Sequence, residues 1–206
     1  YSRQNRNPPV VKTPKTYGAV DLGTNNCRLL IAQPSGEGFR VISSYSRIVR
    51  LGEGLLRNEF LSASAMNRTI QALRICSEKL AKFNVVRSRS IATEACRRAK
   101  NCHEFFSKIK RDTGLSMEII TSYEEACLAL RGCQNLLNSN QPYALVFDIG
   151  GGSTEIIWAK KKTQTFEIID VLSIPLGVVT LAEEWMPSDI NSQIYEKMTN
   201  YVSEKL

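Results

Sequence analysis

The stretch Phe147-Asp148-Ile149-Gly150-Gly151-Gly152-Ser153-Thr154 decides the fold. An apolar run ends in an aspartate, an apolar residue and glycines turn the chain, hydroxyl residues follow, and a second apolar run begins after Glu155. The same order stands 127 residues earlier in Val20-Asp21-Leu22-Gly23-Thr24-Asn25, again between two apolar runs. Glycines at such turns accept positive φ and let consecutive backbone N–H groups face inward as an anion-binding nest. The hydroxyls of Thr24, Ser153 and Thr154 add donors, and the Asn25 amide helps to present the first loop. Asp21 and Asp148, each at a strand end, are placed to hold a Mg2+ ion against phosphates; each could instead cap its own turn through an Asx hydrogen bond. Neither loop opens a helix and neither contains Gly-Lys-Ser/Thr, so the Rossmann and Walker patterns are excluded. Two loops of one unusual design predict duplicated lobes clamping one phosphate chain.

Outward from these loops, strands and helices interleave. TYGAV and LLIA flank the first loop as strands, and FRVISSYSRIVRL continues with one or two more. Over Ser62–Phe83 the period changes: Met66, Thr69, Ile70, Leu73, Cys76 and Leu80 recur every three or four residues, predicting an amphipathic helix with Ser62 as its N-cap. Arg89–Thr93 reads as a strand, Glu94–Asp112 as a helix or helix pair, Met117–Ile120 as a strand and Tyr123–Leu137 as a helix. Strands follow at Ala144–Phe147, Glu155–Ala159 and Phe166–Leu172, with Lys160-Lys161-Lys162 as a hairpin turn, and Ser188–Leu206 closes as a helix. Hairpins mixed with crossovers predict an α/β protein with a mixed sheet.

The chain has 206 residues, 43% of them hydrophobic and 23% charged, which excludes disordered and collagenous classes. No apolar run approaches the ~20 residues that span a bilayer, so no membrane partner is expected. Six cysteines without a C-x-x-C pair, beside one histidine, argue against a zinc site or a disulfide framework. Reduced thiols, with no charged-then-apolar leader after Tyr1, predict a cytoplasmic location. The net charge of +7 is focused: residues 1–20 carry +4 and residues 87–111 carry +6. That focus suits a polyanion. No helix-turn-helix, zinc-finger or aromatic RNA-binding pattern accompanies it, so nucleic acid is not the expected partner.

The segments AVDLGTNNCRLLIA, ATEACRRAKN, SYEEACLAL, VFDIGGGSTEII and PLGVVTLAE occur in that order. From about Tyr17 to Glu183 the chain thereby resembles the exopolyphosphatase / guanosine pentaphosphate phosphohydrolase (Ppx/GppA) family of the actin-like ATPase superfamily. The resemblance implies a ribonuclease-H-like α/β lobe with a mixed five-stranded sheet over residues 17–130, behind a flexible basic tail at 1–16. Residues 131–206 would begin a second, similar lobe that ends incomplete, since the family's later Gly-rich loop is not found. The implied activity is Mg2+-assisted release of terminal phosphate from inorganic polyphosphate or guanosine pentaphosphate. A homodimer is compatible with this reading. The competing reading is a non-catalytic module that binds polyphosphate or an alarmone.

By the same resemblance, Glu125 is the water-activating carboxylate and Glu155 a second cleft carboxylate. Gly23, Thr24, Asn25, Gly150, Gly151, Gly152, Ser153 and Thr154 hold phosphate, Arg97 grips it with a planar guanidinium, and Asp21 and Asp148 stand on the metal side. Gly177 resembles a glycine bordering the cleft. Physics alone leaves Glu124 and Glu125 a blander use, as acids favoured in a first helical turn. Thr121-Ser122-Tyr123 stands where the family has Ser-Gly-x, which is expected to set a bulky ring beside Glu125.

Overall fold

The computed structural model describes residues 14–36, 38–137, 140–163, 165–185 and 191–206. The first lobe is built from β1 (Tyr17–Leu22), β2 (Asn26–Ser35), β3 (Gly38–Ile48), α1 (Leu55–Asn58), α2 (Ala63–Lys82), β4 (Arg87–Ala92), α3 (Glu94–Arg98), α4 (Cys102–Thr113) and β5 (Glu118–Ile119). Its sheet has the order β3-β2-β1-β4-β5, antiparallel among the first three strands and parallel from β1 onward. This is the mixed five-stranded sheet expected. The second sheet, in the order β6-β7-β8, joins β6 (Tyr143–Ile149), β7 (Thr154–Lys162) and β8 (Thr165–Ile174) as antiparallel neighbours. It repeats the first three strands of the first lobe. Helices α6 (Val178–Trp185) and α7 (Ser192–Lys205) follow.

The apolar periodicity of α2 forms the core as read. Thr69, Ile70, Leu73, Cys76 and Leu80 are buried against Val20, Leu22, Cys27, Leu29 and Ile31 of the sheet. Ser62 caps the helix, its hydroxyl accepting the Ala65 N–H at 3.2 Å. The Glu94–Asp112 region resolves into two helices that meet at Ala99-Lys100-Asn101. The helix over residues 122–133, α5, buries Ala126 and Leu130 and packs across β6, β7 and β8. It thus roofs one face of the second sheet.

Among the described residues no helix covers the opposite face of that sheet. Phe147, Ile149 and Trp158 are 55%, 63% and 49% exposed, whereas the residues in the same register positions of the first lobe, Val20, Leu22 and Ile31, are at most 1% exposed beneath α2. Two details differ from the sequence reading. Lys160-Lys161-Lys162 ends β7 rather than forming the turn, which falls on Thr163 in a left-handed conformation. The short helices α1 and α6 were not anticipated.

Residues 1–13 of the expected tail and 188–190 of the expected last helix lie outside the described residues. At Thr16 the chain is already tied down: its carbonyl accepts the Val86 N–H at 2.9 Å and its hydroxyl accepts from Gln33 Nε2 at 3.0 Å. All six cysteines are free, and the Cys27 and Cys76 sulfurs meet at 4.0 Å in the core. No helix among the described residues is long and apolar enough to cross a membrane.

Candidate active site

The two aspartate-led loops converge and share one internal geometry. In each, the first glycine donates to the carbonyl three residues on: Gly23 N to Asn26 O and Gly150 N to Ser153 O, both at 2.9 Å. The loop carbonyls are then taken by the element that follows each hairpin. Asn25 O accepts the Val49 and Arg50 N–H groups, and Thr24 O accepts Gly52 N. Gly150 O accepts Val178 N, and Gly151 O accepts Val179 N and Thr180 N. With these carbonyls occupied, the loop N–H groups beyond Gly23 and Gly150 can serve an anion.

Close approach, not positive φ, is what the second loop asks of its glycines. Among the described residues only Gly36, Gly54 and Gly114 have glycine positive φ, so the expected left-handed loop glycines are corrected. A Cβ on Gly151 would lie 3.2 Å from Asn25 N, one on Gly152 2.6 Å from Thr24 Oγ1, and one on Gly177 2.6 Å from Gly150 O. The loops touch, lobe to lobe.

Around them stand five carboxylates, of Asp21, Glu94, Glu125, Asp148 and Glu155, and the arginine Arg97. Asp148 and Glu155 are opposite partners on β6 and β7, so their side chains share a face of the sheet. Glu155 is 1% exposed; its Oε1 accepts from Ser173 Oγ at 2.9 Å, and the Ser153 side chain also bonds it. Burial raises its pKa, the two serines oppose that, and Asp148 adds to it. Asp21, from the other lobe, is raised first by burial, is held back by Arg28, and is raised further by Asp148. The two aspartates therefore face one space.

Glu125 projects from α5, whose N-cap Thr121 accepts the Glu124 N–H at 3.1 Å. Arg97 spreads its fork over three partners: Nε to Glu94 Oε2 at 3.1 Å, Nη1 to the Ile120 carbonyl at 2.9 Å and Nη2 to Glu125 Oε2 at 2.8 Å. Burial raises the Glu125 carboxyl to about 7 against the pull of Arg97, with Glu155 and Asp148 adding to the rise. A carboxylate at that value, oriented by a fixed guanidinium, can take a proton from water near neutral pH.

Asp21, Gly23, Thr24, Asn25, Arg97, Glu125, Asp148, Gly150, Gly151, Gly152, Ser153 and Glu155 thus gather around the meeting of the lobes. Thr154 does not join them, because its hydroxyl donates to the Leu176 carbonyl at 2.7 Å. Tyr123 is 61% exposed, so the bulky ring expected beside Glu125 turns to solvent instead. Glu94 was missed by the sequence reading. Its side chain touches Gly152, and its carboxylate holds both Arg97 and Arg98. The one available signal was its place at the start of a helix three residues before Arg97.

The basic segment is also less free than its composition implied. Arg89 pairs with Glu118 and with Glu124, Lys100 with Glu59, and Arg111 with Asp112. Among the described residues no group of three or more His, Cys, Asp or Glu side chains converges as a ready-made metal cage.

A mixed sheet repeated in part across a seam of paired anion loops is the architecture of the actin-like ATPase superfamily. The Ppx/GppA phosphatase family profile matches residues 30–206, and the chain belongs to that family. The Aquifex aeolicus PPX-GPPA enzyme is 31% identical, with a TM-score of 0.74 over 94% of this chain and 64% of its own. An exopolyphosphatase from Cytophaga hutchinsonii is 28% identical, with a TM-score of 0.85 over 93% of this chain and 61% of its own. The chain therefore spans a little over three fifths of these relatives' length.

Proposed function

We propose that this chain carries the catalytic cleft of a phosphoanhydride hydrolase that releases terminal phosphate from inorganic polyphosphate or guanosine pentaphosphate. The observation that carries this is the Glu125 carboxyl, raised to about 7, fixed by Arg97 and directed at the strand pair bearing the Gly150–Gly152 loop. Glu125 takes a proton from the attacking water as its oxygen bonds to the terminal phosphorus. The bond from that phosphorus to the bridging oxygen breaks, and the shortened chain leaves with the bridging electrons. The loop N–H groups of both lobes bind the non-bridging oxygens as charge develops there. Arg97, held by Glu94 and Glu125, orients the base.

Asp21 and Asp148 fit Mg2+, which takes one or two protein carboxylates and fills its remaining positions with water and substrate phosphate. When bound, the ion would neutralise charge on the phosphates and on the two facing carboxylates.

The test is phosphate release from long-chain polyphosphate and from guanosine pentaphosphate, in parallel with Glu125→Gln. Release that Glu125→Gln abolishes supports the reading. Release unchanged in the variant overturns Glu125 as base, and saturable binding without release favours the non-catalytic module.

A further inference from the structure

The catalytic reading leaves a half-buried contact between the lobes unused. Glu183, on α6 of the second lobe, accepts the Gly54 N–H of the first lobe through Oε1 at 3.0 Å, and Arg57 Nη2 reaches the Glu183 carbonyl at 3.4 Å. Gly54 has a φ of 72°, a left-handed conformation that glycine adopts freely, and a Cβ there would lie 3.2 Å from Asn58 Nδ2.

Both ends of this contact are fastened to a phosphate loop. On the first lobe, Gly52 N binds Thr24 O at 2.9 Å, two residues before Gly54. On the second, the same helix that carries Glu183 binds the other loop by its first turn, with Val178 N to Gly150 O at 3.0 Å and Val179 N to Gly151 O at 2.9 Å. The route from Thr24 through Gly52, Gly54, Glu183 and α6 to Gly151 closes a ring around the point where Thr24 and Asn25 touch Gly152 and Gly151.

We infer that Glu183 is a positioning residue: its bond to the Gly54 N–H sets the separation of the two phosphate loops, and so the affinity of the cleft for a phosphate chain. This rests on the proposed function only for the ligand; the mechanical statement stands on the contacts alone. Glu183 touches no substrate atom in this account.

The experiment compares Glu183→Ala, Glu183→Asp and Glu183→Gln with the unaltered full chain. It measures residue-resolved amide exchange and tripolyphosphate affinity. A hydrogen bond to a charged acceptor contributes about 1.5–3 kcal/mol, so losing it in Glu183→Ala is expected to speed Gly54 exchange roughly tenfold or more and to weaken tripolyphosphate binding by about the same factor. Loop exchange, read at Gly52, Val178 and Val179 because their N–H groups bond the loop carbonyls, should rise with Gly54, while the α2 core amides hold. Glu183→Asp, one methylene short, should move the same way. Glu183→Gln keeps an acceptor oxygen and should restore both readouts to near the unaltered values. Faster exchange confined to Gly54, with loop exchange and affinity unchanged, overturns the inference. If the unaltered chain binds no tripolyphosphate, the functional proposal fails, and the loop exchange in Glu183→Ala still decides the positioning role.

Discussion

Arg97 Nη2 stands 2.8 Å from Glu125 Oε2, yet the Glu125 carboxyl is raised to about 7, because its burial outweighs the adjacent guanidinium. The pair thus holds a carboxylate in place without making it a strong acid, which is what a base working near neutrality requires. Activity is accordingly expected to rise about tenfold per pH unit below 7 and to level off above it, read as kcat/KM for phosphate release. Glu125→Gln should lower the rate by roughly 10²–10⁴-fold and leave phosphate-chain binding in place.

Stability should move in the opposite direction. Glu125 binds its proton more tightly in the folded chain than at the ordinary value of 4.5, so its contribution is full below 4.5 and is lost as pH rises through about 7. Denaturant melts between pH 4.5 and 8 should show this decline in the unaltered chain, and Glu125→Gln should flatten it.

Arg97→Lys keeps the charge but cannot reach Glu94, the Ile120 carbonyl and Glu125 together. Because Arg97 holds the Glu125 pKa down, weakening that contact should move the midpoint of the pH–rate profile upward. The cost in stability should be about 1–3 kcal/mol by denaturant melt. Arg97→Ala, which leaves Glu125 and the Ile120 carbonyl without their cation and Glu94 with Arg98 alone, should cost roughly 3 kcal/mol or more.

The glycines in and beside the two loops should not respond alike. A Cβ on Gly177 collides with Gly151 and with Gly150 O, whereas one on Gly23 meets nothing nearer than Asn26 O at 3.6 Å. Gly177→Ala is therefore expected to displace the second loop, weaken tripolyphosphate binding and destabilise the chain by about 1–3 kcal/mol. Gly23→Ala should be tolerated. Calorimetric titration of both variants checks the contrast.

Asp148 adds to the cost of ionising Asp21 across the seam, which a divalent cation would relieve. Mg2+ should raise the thermal midpoint of the unaltered chain, and chelation should reverse that and stop phosphate release. Asp148→Asn should lose most of the thermal response. A response that persists in Asp148→Asn places the ion elsewhere.

Much of this architecture was legible because hydrophobic spacing reports burial directly. The three-and-four spacing of Thr69, Ile70, Leu73, Cys76 and Leu80 marks α2, and the repeated Asp-apolar-Gly order marks two loops that do meet. Helix α1, at four residues, is too short to carry a period. The loop glycines were read for their freedom in φ, whereas their role is to let backbones touch across the seam, a fact about a second segment of chain. Likewise Arg97 and Glu125 are 28 positions apart, so nothing local could tell that the guanidinium would be shared with the base. Tyr123 looked obstructive in sequence only because a neighbour's direction on a helix cannot be read from adjacency.

Helix α2 shields its sheet while Phe147, Ile149 and Trp158 meet solvent on theirs, so the two halves of the seam rest on foundations of unequal strength. The Asp148–Glu155 hairpin belongs to the half with less to lose on opening. Slow breathing of this stretch of chain by itself should therefore begin at β6–β8, parting the cleft while the Asp21 side stays shut.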